Sequence, residues 1–473
     1  MPKVFVKWGK EKFELEADPA EMPLLFKSQL FGLTGVPPER QKVMIKGKTL
    51  PDDSWNGISL SNGATIMMMG SSEAVPEKPV YDKKGADNDS ANEEEQLVYP
   101  KGLKNLGNTC YMNATLQCLR VIPELEESLK SYSVQPATPA PSKLITASVK
   151  NLFHDLKVSQ ERDGDSVVPF IMVNVLHSTF PQFATRTEQG IFQQQDANEC
   201  WTEVLRMLAN EVDYKPPYAE SSVKIAQFLQ GQFAVSLTNL EDPEEPPTST
   251  TEPFMQLSCF LTQEVKYLQS GIKSKLIEEI EKHSENLGRN ARYEKKCLIN
   301  RLPAYLSIQM VRFFYKERDN VNAKILKDVK FPITLDLFDM CTPELQSKLL
   351  PMREAFKDYE DKQIERMRQV KLGELEPQKP NAVFEYEPFS FSDDPGSNNS
   401  GFYELKAIVT HKGRSSNSGH YVAWVRLAEN KWAMLDDDQV HPVLEEDVLK
   451  LSGGGDWHCA YVLLYGPKRL KKM

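Results

Sequence analysis

The stretch Asn105-Leu106-Gly107-Asn108-Thr109-Cys110-Tyr111-Met112-Asn113 decides how this chain folds and where it reacts. From Tyr111 to Leu119 there is no charged residue, and Tyr111, Met112, Leu116, Leu119 and Ile122 fall on more than one face of a helix. Such a helix is expected inside the body of a domain. Asn108 and Thr109 are good cap residues, so Cys110 is expected in the first turn. Free backbone N–H groups and the helix dipole favour an anion there, and a thiolate is that anion. A single cysteine is more commonly a buried structural one. The C-terminal third argues otherwise.

A cysteine nucleophile needs a base, and the base needs an orienting group. Among seven histidines, His420 follows the small-residue loop Gly413–Gly419 and opens the strand-like run Tyr421-Val422-Ala423-Trp424-Val425. A polar interval, Ala428-Glu429-Asn430-Lys431, leads to a second run, Trp432-Ala433-Met434-Leu435, closed by Asp436, Asp437 and Asp438. A hairpin turning near Ala428 pairs Trp424 with Trp432, Val422 with Met434 and His420 with Asp436. Directly opposed residues share one face of the sheet, about 5 Å apart. Asp438 has the parity of Asp436, whereas Asp437 faces the other way. A one-residue bulge would shift the assignment, so Asp438 stays open beside Asp436.

The block Gly102–Asn113 resembles the cysteine box of the ubiquitin-specific proteases. Ser418-Gly419-His420-Tyr421-Val422, with Trp432 and Asp436, resembles that family's histidine box. Gln194-Gln195-Asp196-Ala197-Asn198-Glu199 and Leu302–Gln309 resemble two further family blocks, in the family's order. The resemblance implies a papain-like catalytic domain of thumb, palm and fingers. It makes Cys110 the nucleophile, His420 the general base and Asp436 its orienting group. Asn105 would join the Cys110 backbone N–H in an oxyanion hole. Gln195 and Asp196 would grip the arginine-bearing ubiquitin tail, bordered by Phe313, Tyr315, Ser416 and Tyr421. The bottom-up alternative for Asp196 is a helix cap, and for Phe313 and Tyr315 core or edge-strand packing.

Many family members carry paired Cys-x-x-Cys zinc ligands in the fingers. Here Cys200, Cys259, Cys297 and Cys341 lack that spacing, so neither a structural zinc nor any cofactor is expected.

The first seventy residues read as strand, strand, helix, strand, strand. Lys3–Trp8 and Lys12–Glu16 alternate; Leu24, Leu25, Gln29, Leu30 and Leu33 carry helical spacing; Gln41–Leu50 and Ala64–Met69 complete the pattern. This small α+β roll resembles ubiquitin-like β-grasp domains. Because Gly70 runs on into Ser71, it reads as a docking module and not a modifier. Residues 71–99 hold eight acidic residues and three lysines, a flexible acidic tether by composition. The expected organisation is therefore a ubiquitin-like domain over 1–70, the linker 71–99, a catalytic domain over 100–467 and a basic tail 468–473. Asp242–Thr251 and Leu375–Ser400 read as solvated loops, and Glu360–Arg368 as a charged helical insertion.

A net charge of -10, without a long basic block, disfavours nucleic acid as a main partner. No run is apolar enough for a membrane span or signal peptide. Seven irregularly spaced cysteines fit a reducing compartment: cytoplasm, and nucleus with proteasomes. A ubiquitin-like module before a zinc-less catalytic domain resembles the proteasome-associated branch of the family. Its implied partners are ubiquitin, polyubiquitin conjugates and the 26S proteasome regulatory particle, engaged by a monomer. The alternative function is a ubiquitin-binding regulator of the proteasome in which catalysis is secondary.

Overall fold

In the first seventy residues, period-two alternation puts Val4, Val6, Leu15, Val43, Ile45, Ile66 and Met68 on one sheet face, all buried. The computed structural model orders the strands Glu11–Glu16, Lys3–Trp8, Ala64–Met69, Lys42–Ile45, Lys48–Thr49, with Lys3–Trp8 parallel to Ala64–Met69. Helix Pro23–Thr34 lays Phe26 and Leu30 on this face. Leu33 is half-exposed, and the side chains of Leu24 and Leu25 lie outside the described residues.

The structure describes residues 2–9, 11–19, 23–34, 36, 41–45, 48–51, 54–55, 58, 60–70, 97–133, 140–216, 221–316, 321–373, 375, 385–415, 418–455 and 457–472. Most of the acidic tether therefore lies outside them. The chain divides into two compact units, residues 1–79 and 80–473.

The second unit is built on a long sheet. Its strands run Gln256–Phe260, Leu306–Val311, Cys459–Pro467, Phe402–Ser415, Ser418–Ala428, Lys431–Asp436 and Gln439–Leu444. Alternation along Ser418–Ala428 divides two cores. Tyr421, Ala423 and Val425 join the helices Cys110–Leu119, Pro141–Glu161 and Ala197–Glu211, while Val422 and Trp424 meet Trp432, Met434 and Leu463 on the other face. A separate four-stranded sheet, Ile277–Ser284, Arg289–Arg301, Gly231–Asn239 and Thr248–Phe254, forms the fingers by strand pairing.

Two expectations are corrected. Thr248–Thr251 is not loop: these residues open the edge strand Thr248–Phe254, where β-branched threonines pair with Ala234–Leu237. Of the expected insertion over 375–400, residues 376–384 lie outside the described residues, residues 385–393 are largely exposed as expected, and the end is not solvated. Ser390, Ser397, Asn398 and Ser400 are buried, because the Asn398 Oδ1 accepts from the Ser400 and Gly401 N–H groups and so satisfies the turn internally. The basic tail is tied to residues 385–387. Leu470 is buried, its carbonyl accepts from Glu387 N–H, and Lys472 N–H donates to Glu385.

Arg312 is wholly buried, and its guanidinium donates to the carbonyls of Ala460, Ile325, Lys327 and Ser452. It thereby ties two connecting loops to the sheet. Arg312→Ala should leave several of those acceptors unpaired and destabilise the protein by roughly 3 kcal/mol or more, measured as a fall in urea midpoint. An unchanged midpoint would contradict this bracing role.

Candidate active site

The cysteine helix spans Cys110–Leu119 and none of its ten residues is exposed. Three of its polar side chains are held by donated hydrogen bonds, whereas the buried Tyr111 hydroxyl has no partner among the described residues. Asn113 Nδ2 donates to Asp437, Thr115 Oγ1 to the Tyr111 carbonyl, and Gln117 Nε2 to the Lys101 carbonyl. The helix begins at Cys110 as expected, but not by the expected cap. Thr109 occupies the N-cap position without a side-chain cap bond; its hydroxyl accepts from Leu106 N–H instead. Asn108 has φ of 54° and its amide donates to the Phe192 carbonyl. The loop is organised by Asn105, whose Oδ1 accepts from the Gly107 N–H at 2.9 Å and the Thr109 N–H at 3.2 Å.

The histidine hairpin forms, but two residues away from the expected register. Trp424 lies opposite Met434 rather than Trp432, and Arg426 opposite Trp432. The cause is a tight turn at Glu429-Asn430, with Asn430 at φ 56°, and an irregularity between Arg426 and Ala428. A slip of two preserves the face, so His420 and Asp436 remain on the same side as diagonal neighbours. The expected loop Gly413–Gly419 is largely strand: Phe402–Ser415 and Ser418–Ala428 leave only 416–417 between them. Gly419 has φ 134° and no room for a Cβ, which would lie 2.1 Å from the Lys412 carbonyl oxygen.

His420 Nε2 meets Asp436 Oδ1 at 2.5 Å. Its pKa is raised from 6.5 to about 10, first by that hydrogen bond and then by the neighbouring Cys110 thiol. The Asp436 carboxyl is held low: burial opposes ionisation, but the His420 contact and charge outweigh it. Cys110, His420 and Asp436, far apart in the chain, therefore meet around one imidazole.

Asp437 does not face away. With φ of 52° it leaves the strand's alternation, and its Oδ2 accepts from Asn105 Nδ2 at 2.9 Å while its Oδ1 accepts from Asn113 Nδ2 at 2.8 Å. Asp438 is exposed. Sequence reasoning missed Asp437 because parity holds only while the backbone stays extended. Among the described residues, His420, Asp436 and Asp437 also form the one cluster with metal-ligand spacing, their donor atoms within 4.8 Å. Their hydrogen bonds account for that proximity.

The tail-contact candidates fare unequally. Asp196 caps helix Ala197–Glu211, its Oδ1 accepting from the Asn198 and Glu199 N–H groups, while its Oδ2 accepts from the Tyr461 hydroxyl at 2.7 Å. Burial pushes this carboxyl up. Gln195 turns to Thr185, its Nε2 donating to the hydroxyl at 2.7 Å. Phe313 packs edge-on against His411 and Tyr461, and Tyr421 lies wholly buried beside the same two rings. Among the described residues, the Tyr421 hydroxyl and both His411 ring nitrogens have no hydrogen-bond partner. Burial lowers the His411 pKa to about 3, keeping the ring neutral. Ser416 and the Tyr315 side chain lie outside the described residues. Tyr461 and His411 join this wall through tertiary packing alone.

The sequence profile described as "Ubiquitin carboxyl-terminal hydrolase" matches residues 101–465, and that of the "Ubiquitin family" matches residues 4–73. The chain belongs to the ubiquitin carboxyl-terminal hydrolase family. Ubiquitin carboxyl-terminal hydrolase 14 of Caenorhabditis elegans is 43% identical over 479 residues, covering 100% of this chain and 94% of the relative. Ubiquitin carboxyl-terminal hydrolase 6 of Arabidopsis thaliana is 39% identical, covering 98% of both. Among solved structures, the fold resembles the SAGA Ubp8 deubiquitinase module bound to ubiquitin aldehyde. That match has a TM-score of 0.53 and 20% identity, over 81% of this chain and 72% of the other. The protein is a cysteine-type deubiquitinase with an N-terminal ubiquitin-like domain, and the resemblance to ubiquitin carboxyl-terminal hydrolase 14 holds along the whole chain.

The double engagement of Asp196 separates two effects. Asp196→Ala should lose the cap, about 1 kcal/mol of stability, and weaken binding of the ubiquitin tail. Asp196→Asn keeps a cap acceptor without the charge, so it should melt near wild type while its KM for a ubiquitin–fluorophore rises. A wild-type KM for Asp196→Asn would remove Asp196 from tail binding.

Proposed function

We propose that this enzyme releases ubiquitin from conjugates by cleaving the isopeptide bond at ubiquitin's C-terminal glycine. The Cys110 thiolate attacks the glycine carbonyl carbon, and the oxyanion that forms is held by the Cys110 N–H and the Asn105 amide. Imidazolium His420 gives its proton to the departing lysine amine, leaving a thioester. His420 then takes a proton from water, which attacks the thioester and frees ubiquitin and the thiolate. Asp436 keeps the ring aimed and favours its charged form. One observation carries this reading: a single imidazole hydrogen-bonded to Asp436 at 2.5 Å with the Cys110 thiol beside it. It also favours catalysis over a purely ubiquitin-binding role. Ubiquitin's arginine-bearing tail would run past Asp196, Gln195, Phe313 and Tyr421, where a carboxylate can pair with guanidinium.

We further infer that the ubiquitin-like unit docks on the proteasome regulatory particle, so that the enzyme works on proteasome-bound conjugates in cytoplasm and nucleus. The support is its fold, its internal Gly70 and the whole-chain likeness described above. Deleting residues 1–70 should leave hydrolysis of ubiquitin–fluorophore intact and abolish co-sedimentation with proteasomes. Wild-type co-sedimentation of the truncated protein would sink the docking role.

Cys110→Ala should abolish hydrolysis and labelling by a ubiquitin probe with a C-terminal electrophile, while ubiquitin still binds. Asp436→Asn should cost more activity than Asp438→Asn. The proton on His420 is needed for amine departure, and its pKa stands above the ordinary value. The alkaline limb of isopeptide hydrolysis should therefore fall near pH 10 in wild type and move down in Asp436→Asn. An unmoved limb would show that Asp436 does not tune the imidazole.

A further inference from the structure

The order of the long sheet gives the catalytic histidine two distinct flanks. Strands Cys459–Pro467, Phe402–Ser415, Ser418–Ala428 and Lys431–Asp436 lie side by side. The wall proposed for the ubiquitin tail, with Tyr461, His411 and Tyr421, lies toward the first of them. Asp436 ends the last, and Asp437 follows it. Beyond that edge the backbone pairing continues. The Asp437 carbonyl accepts from Leu103 N–H at 2.8 Å, Leu103 pairs with Val167, and the Val167 carbonyl accepts from Lys104 N–H at 2.8 Å. Two interchain spacings, about 10 Å, therefore separate the turn at Asp437 from Val167.

Three apolar side chains stand in the open just past this pairing. Val168, Phe170 and Ile171 are 51%, 64% and 63% exposed. Their backbone is held in place. Val167 N–H donates to the Gly102 carbonyl at 3.0 Å, Phe170 N–H to the Val168 carbonyl at 2.9 Å, and the Asn174 amide to the Phe170 carbonyl at 2.8 Å. Helix Phe170–Thr179 turns Met172, Val173 and Leu176 inward, so the core takes its share of this helix from other residues. Apolar side chains that are grouped, rigidly held and exposed beside a reactive site mark a docking surface.

A conjugate brings a second protein to this flank. Its scissile lysine has only a four-carbon stem. With the ubiquitin tail along Tyr461, His411 and Tyr421, the body of the lysine-bearing protein stands over the opposite flank. In a polyubiquitin chain that body is itself ubiquitin. A β-grasp sheet has its helix on one face only, and this chain's own copy exposes Met67 and Met69 on the other. Ubiquitin, of the same fold, offers an open sheet face of the same kind. We propose that Val168, Phe170 and Ile171 form a docking surface for the lysine-bearing ubiquitin of a polyubiquitin chain, on the leaving-group side of Cys110. This rests on reading the protein as an isopeptidase.

The test uses the full chain carrying Ile171→Glu, alone and together with Phe170→Ser. Both side chains are exposed, and an acid in the first turn of a helix suits the helix dipole, so the fold should be kept. Hydrolysis of ubiquitin–fluorophore, whose leaving group is too small to reach the patch, should keep its kcat and KM. Cleavage of the lysine-linked diubiquitin that wild type cuts fastest should lose about tenfold in kcat/KM in the double variant, mostly as a higher KM, as for an apolar interface anchor. Ile171→Leu should stay near wild type on both substrates. Wild-type diubiquitin cleavage by the double variant would overturn the docking surface and spare the isopeptidase reading. A wild-type enzyme that hydrolyses the fluorophore but no diubiquitin would remove that reading and the docking with it. Equal losses on both substrates would assign the patch to the fold. A wild-type dimer that the double variant turns into a monomer in sedimentation, with diubiquitin cleavage unchanged, would assign it to self-association.

Discussion

Complete burial of the cysteine helix is the constraint on which the catalytic unit depends. Helix Cys110–Leu119 packs on the histidine strand Ser418–Ala428 and on helix Ala197–Glu211, with no side left for water. Burying side chains such as Met112, Leu116 and Leu119 contributes about 2 kcal/mol each. That packing fixes where the first turn ends. Cys110 then has one position, at the end of a strand whose first residues carry His420. The nucleophile is placed by hydrophobic packing and the base by strand pairing, and the two placements are independent until they meet.

Their meeting is stabilised by polar contacts a helix interior would not tolerate unpaired. Asn113, Thr115 and Gln117 all lie on the buried helix, and each donates to a partner. Burial makes such groups costly when unpaired and specific when paired, so they select one arrangement of helix, loop and sheet. Asp437 contributes most to that selection, because one carboxylate answers two amides from different parts of the cysteine box.

The histidines show how much the environment decides. His420, with Asp436 and the Cys110 thiol as neighbours, is pushed up to about 10. His411, buried in the sheet, and His458, buried just before strand Cys459–Pro467, are pushed down to about 3, chiefly by loss of water. His458 Nδ1 is within 3.2 Å of the Thr410 hydroxyl, whereas both His411 nitrogens lack a partner among the described residues. A charged catalytic ring thus sits among neutral neighbours that do not compete for its proton.

The residues by themselves determined the elements and their chemistry. An uncharged helix headed by Cys110 and an apolar hairpin ending in His420 and Asp436 are both local patterns, and the α+β order of the first seventy residues is another. Even the misjudged register kept His420 and Asp436 together, because a two-residue slip returns each side chain to the same face. Tertiary structure alone decided what turns and buried loops do. Asp437 enters the site because a left-handed turn residue abandons strand parity, Thr248–Thr251 become strand by pairing across the fingers, and Ser390 and residues 397–400 are buried by bonds a composition count cannot see. Periodicity reports which face a regular backbone presents. Where φ and ψ leave the regular regions, side-chain direction depends on contacts with distant segments, and those exist only once the chain has folded.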